Sequence, residues 1–212
     1  GGTDPSRIEE GNPTLWTSAS GLVGYWPMDE GTGTTTQDLS GNSNTGTFVS
    51  APIWTVACIS GSCLEFDNID DGVNINNNFA GFTSYSVSAW VKPKGNHKNY
   101  TGTVLSSGNW NTIHWAFGVN QTNTQVNTRN VGGTEDCNIN GVIPVGTWTF
   151  LSYVRNGTIF NIYKDGALIA TCTIGSAGLA SDYANTMIGR ETYAGGYFDF
   201  NGYIDEVKMI NR

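Results

Sequence analysis

Residues 21–46 are GLVGYWPMDEGTGTTTQDLSGNSNTG, and residues 202–212 are GYIDEVKMINR. Leu22–Met28 is rich in apolar residues and predicts a first strand, which an Asp-Glu-Gly run ends. The Gly, Asn, Asp and Ser residues that follow are typical of a folded-back loop. Gly202–Met209 predicts the last strand of the chain. Together the two stretches predict the beginning and the end of one β domain.

Strand patterns recur about every ten residues between these two ends. Ser84–Val91 alternates cleanly, with Tyr85, Val87, Ala89 and Val91 on one side and three serines with Trp90 on the other. Asn156-Gly157 predicts a tight hairpin. Asp-Gly within NIDDG predicts a second reversal between Ser62–Phe66 and Val73–Ile75. No long helical periodicity occurs, so the pattern favours an antiparallel β-sandwich.

Four further motifs occur in order between the two ends. They are LEFDNIDDGV at Leu64–Val73, YSVSAWVKP at Tyr85–Pro93, GTWTFLSYVRNG at Gly146–Gly157 and FNIYKDGALIA at Phe160–Ala170. With the two ends, these motifs resemble LamG-like jelly-roll domains of the concanavalin A-like lectin/glucanase superfamily. The resemblance implies an all-β, two-sheet antiparallel β-sandwich over residues 21–212, with the first and last strands side by side.

Residues 1–20 lack any periodicity, and Pro5 and Pro13 argue against a helix or a central strand there. We predict an N-terminal arm or linker, and the abrupt Gly-Gly-Thr start suggests a processed N-terminus. Leu15 and Trp16 are two adjacent, strongly apolar residues of the arm. Self-association through residues 1–20, by strand addition to a neighbouring sheet, is therefore one expectation.

Composition restricts the classes of partner. The formal net charge is -8 and only 13% of residues are charged, whereas 38% are hydrophobic. A nucleic-acid partner is not expected, because the chain has no cationic footprint. Membrane insertion is not expected either, because no run of 18 apolar residues occurs.

The four cysteines, Cys58, Cys63, Cys137 and Cys172, allow three pairings. We favour Cys58–Cys63 across the ACISGSC turn and Cys137–Cys172 across a sheet edge, with Cys137 just before the strand that enters GTWTF. A zinc site is the alternative, but the spacing is not that of zinc ligands. Two disulfides predict an extracellular or cell-surface location.

The family resemblance implies a calcium ion where the DLSGN loop approaches the YIDEV strand. Its ligands would be Asp38 and Asp205, backbone oxygens near Gly41 and Asn44, and less strongly Glu30. Calcium takes six to eight oxygens from carboxylates and carbonyls, which this composition offers. The alternative is that Asp38 and Asn42 make Asx-turn hydrogen bonds and that Asp205 pairs with a nearby Lys.

Glu65 and Asp67 would share one face of a strand, with Asp70 beyond them, and they are similar to the Glu-x-Asp-x-x-Glu strand of retaining glucanases. Those enzymes need two carboxyl groups about 5–5.5 Å apart. The same residues match the FDGVDD turn of non-catalytic LamG-like domains more fully. We therefore expect no enzymatic activity, and a glycoside hydrolase is the least favoured function.

The aromatic residues divide into core and surface candidates. We expect Trp26, Trp90, Trp115 and Trp148 in the core. Three rings flanked by Gly and Asn are the candidates for stacking on sugars: Trp110, Tyr193 and Tyr197. Three Asn-x-Thr sequons begin at Asn99, Asn120 and Asn156, although chance matches are expected in a chain this rich in Asn and Thr.

The sequence thus predicts an extracellular, non-catalytic recognition or adhesion module, carbohydrate-binding and stabilised by calcium, with a glycan or a cell-surface partner. The alternative function is a structural subunit of a surface assembly or pilus-like filament, joined through the arm.

Overall fold

The computed structural model describes residues 21–77, 79–97, 101–108, 114–120, 125–129, 135–140, 143–173, 185–191 and 198–211. Over these ranges the chain forms two eight-stranded sheets in which all strand pairs are antiparallel. The two sheets form a sandwich, as the sequence predicts. No helix in the described ranges has the length and apolar character that crossing a bilayer requires.

Sheet 1 contains the first and last strands. Its members are β1 (Leu22–Trp26), β4 (Ile53–Thr55), β5 (Cys63–Asp67), β7 (Ser84–Pro93), β12 (Thr149–Asn156), β13 (Ile159–Lys164), β14 (Ala167–Thr173) and β16 (Asn201–Asn211). The strand order is β14-β13-β12-β7-β16-β5-β4, and β1 also pairs with β16. The expected proximity of the two ends of the domain is therefore confirmed.

Sheet 2 contains the remaining strands. They are β2 (Thr35–Thr36), β3 (Gly46–Val49), β6 (Gly72–Ile75), β8 (Thr101–Gly108), β9 (His114–Asn120), β10 (Gln125–Arg129), β11 (Glu135–Asn140) and β15 (Thr186–Ile188). The strand order is β11-β10-β9-β8-β15-β6-β3-β2.

The core lies between the sheets, and β7 shows why. Tyr85, Val87, Ala89 and Val91 are buried, whereas Trp90 on the other face is only half-buried. This burial confirms the alternation in the sequence. The largest fully buried aromatic side chains fill the space between the sheets: Trp26, Trp115, Tyr153, Phe66, Phe117, Phe160 and Phe200.

β16 is the strand that organises sheet 1. It pairs with β7 on one side, and on the other side with β5 over its first half and with β1 over its second half. The register shifts between Asp205 and Lys208, and Glu206 has a φ of 55°. This β-bulge allows one long strand to serve two successive neighbours.

The structure contains the disulfides Cys58–Cys63 and Cys137–Cys172, the pairing favoured from the sequence. Cys137 lies within β11, a strand that the sequence patterns did not predict, and β12 follows it as expected. Since β11 and β14 are the end strands of different sheets, Cys137–Cys172 ties one side of the sandwich together.

Two local predictions differ in outcome. The hairpin at Asn156-Gly157 is confirmed, because β12 pairs with β13 directly across it. The reversal predicted at NIDDG is wrong, because β5 and β6 lie in different sheets. The Asp71 carboxylate accepts the backbone N–H groups of Ala51 (3.0 Å) and Asp67 (3.1 Å) and so shapes a crossing between the sheets. An Asp-Gly pair predicts a turn, but it does not determine whether the flanking strands pair.

Candidate functional site

The loop after β2 is organised by Asp38. Its Oδ1 accepts the backbone N–H groups of Tyr25 (2.9 Å) and Ser40 (2.8 Å), and its Oδ2 accepts that of Asn44 (2.9 Å). The indole N–H of Trp26 donates to the Asn44 carbonyl at 2.7 Å. The sequence alternative of an Asx turn at Asp38 thus describes the Ser40 bond. The Asn44 bond closes the loop on itself, and the Tyr25 and Trp26 bonds fasten it to β1.

A cavity of about 380 Å³ opens beside this loop. We call it the amide cavity, because three asparagines line it together with apolar side chains: Val23, Asn42, Asn44, Asn77, Phe79, Ala80 and Phe82. No residue of the lining is charged. Its volume lies in the range of small-molecule sites, which combine apolar walls with a few polar groups.

The amide groups of the cavity are partly used by the protein. The Asn77 side-chain amide donates to Asn44 Oδ1 (3.1 Å), and the Asn44 amide donates to the Val23 carbonyl (2.8 Å). The Asn42 amide donates to the Leu22 carbonyl and to Ser40 Oγ, both at 3.0 Å. Each Asn amide has two N–H donors. One N–H each of Asn44 and Asn77, together with Asn42 Oδ1, therefore has no hydrogen-bond partner among the described residues.

Asp205 lies on β16, which pairs with the edge of β1 opposite to the Asp38 loop. It is beside the turn that Cys58–Cys63 closes. It is fully buried, and its Oδ2 accepts the N–H groups of Ile59 (3.1 Å) and Ser60 (3.3 Å). Burial raises the pKa of Asp205 to about 7, and the charges of Glu206 and Asp29 act in the same direction. Asp205 Oδ1 is buried with no hydrogen-bond donor among the described residues.

The residues predicted to hold calcium make separate hydrogen bonds in the described part of the chain. Asp38, Gly41 and Asn44 share one loop, whereas Asp205 binds the amides of another. Glu30 Oε1 accepts the Gln37 N–H at 2.6 Å, and its Oε2 is buried without a described donor. The groups of acidic, His or Cys side chains that come within 4.8 Å of one another here include neither Asp38 nor Glu30. Calcium binding stays a prediction.

The outer face of sheet 1 carries a second candidate site. Cross-strand register places Lys92 of β7 opposite Tyr203 of β16, and Tyr203 opposite Glu65 of β5. Trp148, just before β12, leans over Lys92, so that the Lys92 Nζ lies 5.9 Å from the Trp148 ring centre and 5.3 Å from that of Tyr203. We call Trp148, Lys92, Tyr203 and Glu65 the aromatic row. Its four side chains are half-buried.

The placement of Trp90 and Trp148 corrects a prediction. Both were expected in the core, as Trp26 and Trp115 are, but both lie half-buried on the outer face of sheet 1. Trp90 packs against Phe150 with ring centres 5.3 Å apart, and the Trp148 indole donates to the Ala57 carbonyl at 3.3 Å. The physical reason is strand alternation, which had already put Trp90 on the face of the serines.

The carboxylates compared with those of glucanases have structural contacts. Glu65 forms an ion pair with Lys94, and Asp67 Oδ1 accepts the Ile69 N–H at 2.8 Å. Asp67, Asp70 and Asp71 come within 4.8 Å of one another at the crossing between sheets. Asp67 thus holds the turn at this crossing through the N–H groups of Ile69 and Asp70.

Several predicted positions lie outside the described residues. These are the arm, 1–20, the sequon at Asn99 and the three candidate sugar-stacking rings, Trp110, Tyr193 and Tyr197. The predictions for them stand untested. The residues of the amide cavity and of the aromatic row were not singled out as ligand-binding from the sequence. Alternation at Trp90 was the available signal for the outer face, and the cavity gave none.

The folded arrangement defines a jelly-roll β-sandwich of the lectin-like class. The chain belongs to the concanavalin A-like lectin/glucanase superfamily, whose pattern matches residues 67–212, more than half of its length. The resemblance of its motifs to LamG-like domains is thereby confirmed. No curated protein is similar enough in sequence to match the chain.

Solved structures share the fold at low identity. Domain 4 of AbnA, a GH43 extracellular arabinanase from Geobacillus stearothermophilus, in complex with arabinotriose, has a TM-score of 0.69 and 18% identity over 91% of this chain and 93% of that one. The binding domain of Paraclostridial Mosquitocidal Protein 1 has a TM-score of 0.68 and 14% identity, and covers 91% of this chain. That of botulinum neurotoxin serotype D/C VPI 5993 has a TM-score of 0.65 and 15% identity, and covers 90%. The chain spans about half the length of the two toxin domains, 49% and 48%.

Proposed function

We propose that the protein is an extracellular, non-catalytic module that recognises carbohydrate. The observation that carries this proposal is the amide cavity, where uncharged amide groups and two Phe rings converge in about 380 Å³. Sugar hydroxyls need such donors and acceptors, and the apolar face of a sugar ring needs an apolar wall. The similarity to an arabinanase domain in complex with arabinotriose supports the same class of ligand.

Two further features support an extracellular role. Both described disulfides need an oxidising compartment to form and persist. The similar structures include a domain of an extracellular arabinanase and toxin binding domains. A glycan of a cell surface or of an extracellular polymer is the partner that this reasoning favours.

The experiment is a titration of the full chain with arabinotriose and with a panel of immobilised glycans. We expect saturable binding without release of reducing sugar, and we expect Asn42→Ala to weaken it about tenfold, the order of magnitude for one lost polar contact with the ligand. Ser40→Ala is the matched control, because Ser40 bonds to Asn42 but does not line the cavity. Binding to no glycan, or equal loss in both variants, contradicts the proposal.

Calcium is a separate part of the proposal. Of the predicted ligands, Asp205 and Glu30 support it, because each has a buried carboxylate oxygen without a donor among the described residues. A divalent cation would neutralise the negative charge of these carboxylates, which amide N–H groups compensate only in part. Asp38 contributes less support, since its oxygens already accept three N–H groups.

A further inference from the structure

Lys92 differs from the other described cations whose ion pairs are defined. Lys94, Lys208 and Arg190 each lie within 4.0 Å of a carboxylate oxygen. The contacts of Lys92 are instead the ring faces of Trp148 and Tyr203. In the described part of the chain, Lys92 thus presents an ammonium group between two rings with no carboxylate in contact.

The surroundings of Lys92 leave a local positive charge on an acidic protein. The negative charge of Glu65 is compensated by Lys94. Asp205, in the neighbouring row, is fully buried, and its carboxylate accepts the amides of Ile59 and Ser60. An ammonium beside aromatic rings binds anions with charge-assisted hydrogen bonds, and the rings supply apolar contact area.

The edge of the aromatic row carries two exposed apolar side chains. Ile53, directly across from Glu65 on β4, is 61% exposed, and Val56, next to the Ala57 that holds Trp148, is 86% exposed. Exposed apolar side chains beside the rings would add apolar contact area for a bound ligand. Since β12, β7 and β16 are each paired on both sides, no free strand edge is available there for an added peptide strand.

We propose that the aromatic row binds an acidic saccharide. The sugar ring lies against Trp148 and Tyr203, and the sugar carboxylate accepts hydrogen bonds from the Lys92 ammonium. The inference rests on the proposed carbohydrate-recognition function and adds a second site with its own substrate class. The amide cavity, which has no charged lining residue, takes neutral sugars, and the aromatic row takes charged ones.

The test compares two probes that differ only in the carboxylate, methyl β-glucuronide and methyl β-glucoside, titrated into the isotope-labelled full chain and followed by NMR. We expect the glucuronide to bind at least fivefold more tightly and to shift resonances of Lys92, Trp148 and Tyr203. Lys92→Gln brings the ratio of affinities close to one, and Lys92→Arg retains the preference. Trp148→Ala weakens binding of both probes.

Lys208→Gln is the matched control, since Lys208 lies on β16 but pairs with Glu206 and contacts the ring of Tyr25 rather than the aromatic row. The inference is overturned if neither probe perturbs the row, if the probes bind equally, or if Lys208→Gln abolishes the preference as Lys92→Gln does. Tighter binding of triglutamate at the same residues overturns it in favour of an acidic peptide. If a neutral glycan still binds at the amide cavity, the proposed function survives this failure, whereas binding of no sugar at either site contradicts both.

Discussion

The amide cavity and the aromatic row offer opposite recognition chemistry within one domain. The cavity is an uncharged hollow lined by amides and apolar side chains, and its walls come from short segments around residues 23, 42–44, 77 and 79–82. The row is an open surface with a charged centre, and it joins residues 92, 148 and 203 through strand register. One site depends on loop hydrogen bonds and the other on sheet pairing, so single changes should disable them separately.

The largest expected effect is the pH dependence of the free energy of unfolding, which comes from Asp205. Asp205 lies beside the aromatic row and does not line the cavity, and its folded pKa of about 7 exceeds the value near 4 of an unfolded Asp. The folded state then binds more protons between pH 4 and 7, so stability is fully present below about pH 4 and falls as pH rises through about 7. The upper limit is about 4 kcal/mol at 1.36 kcal/mol per pKa unit.

Urea unfolding from pH 4 to 8 in EDTA measures this slope, and Asp205→Asn should remove most of it. Burial also raises the pKa of Asp29 and Asp71, so a small slope of the same sign remains. Stability that rises over this range contradicts the prediction. Calcium added at pH 8 should raise the melting temperature of the unchanged chain and not that of Asp205→Asn. An absent calcium effect removes the calcium proposal alone.

Asp38→Ala is expected to disable the cavity and spare the row. It removes the acceptor of three backbone N–H groups, and charge-assisted bonds of this kind suggest a loss of about 3 kcal/mol in the free energy of unfolding. Glycan binding at the cavity should be lost, whereas the glucuronide preference should persist. Asp67→Ala is the control, since Asp67 accepts bonds within its own exposed turn. Equal losses in both variants contradict the special role of Asp38.

Local signals determined what could be predicted of this fold. Alternation in Ser84–Val91, the Asn-Gly hairpin and the spacing of the cysteines each act over a few residues, and each gave a correct result. The crossing at NIDDG and the bulge at Asp205 depend on which sheet a strand joins. Such pairing between distant segments is not encoded in any short window of sequence.

The candidate sites follow the same division. The DLSGN stretch marked the Asp38 loop correctly as an organised one, although its contacts proved to be amide N–H groups of the chain. The aromatic row could not be predicted, because Lys92 and Tyr203 become neighbours only through the register of β7 with β16. Trp148 was assigned to the core on residue type alone, but its burial depends on which face of the sheet it joins.

Removing the Cys58–Cys63 disulfide should weaken binding at the aromatic row and spare the amide cavity, the opposite of Asp38→Ala. Of the changes considered, it should lower the free energy of unfolding least. The bond closes a short loop, so chain entropy predicts a loss of about 2 kcal/mol. The loop presents the Ala57 carbonyl to the Trp148 indole, and a looser loop should weaken glucuronide binding several-fold while leaving the cavity intact.

The double variant Cys58→Ala, Cys63→Ala is measured by urea unfolding and by both titrations. The control removes Cys137–Cys172, which closes a longer loop away from Trp148, because Cys172 is in register with Phe160 and, through it, with Arg155 near the opposite end of β12. It should cost more stability, about 4 kcal/mol, with no change at the row. If glucuronide binding instead follows stability across the two variants, the row has no local dependence on this loop.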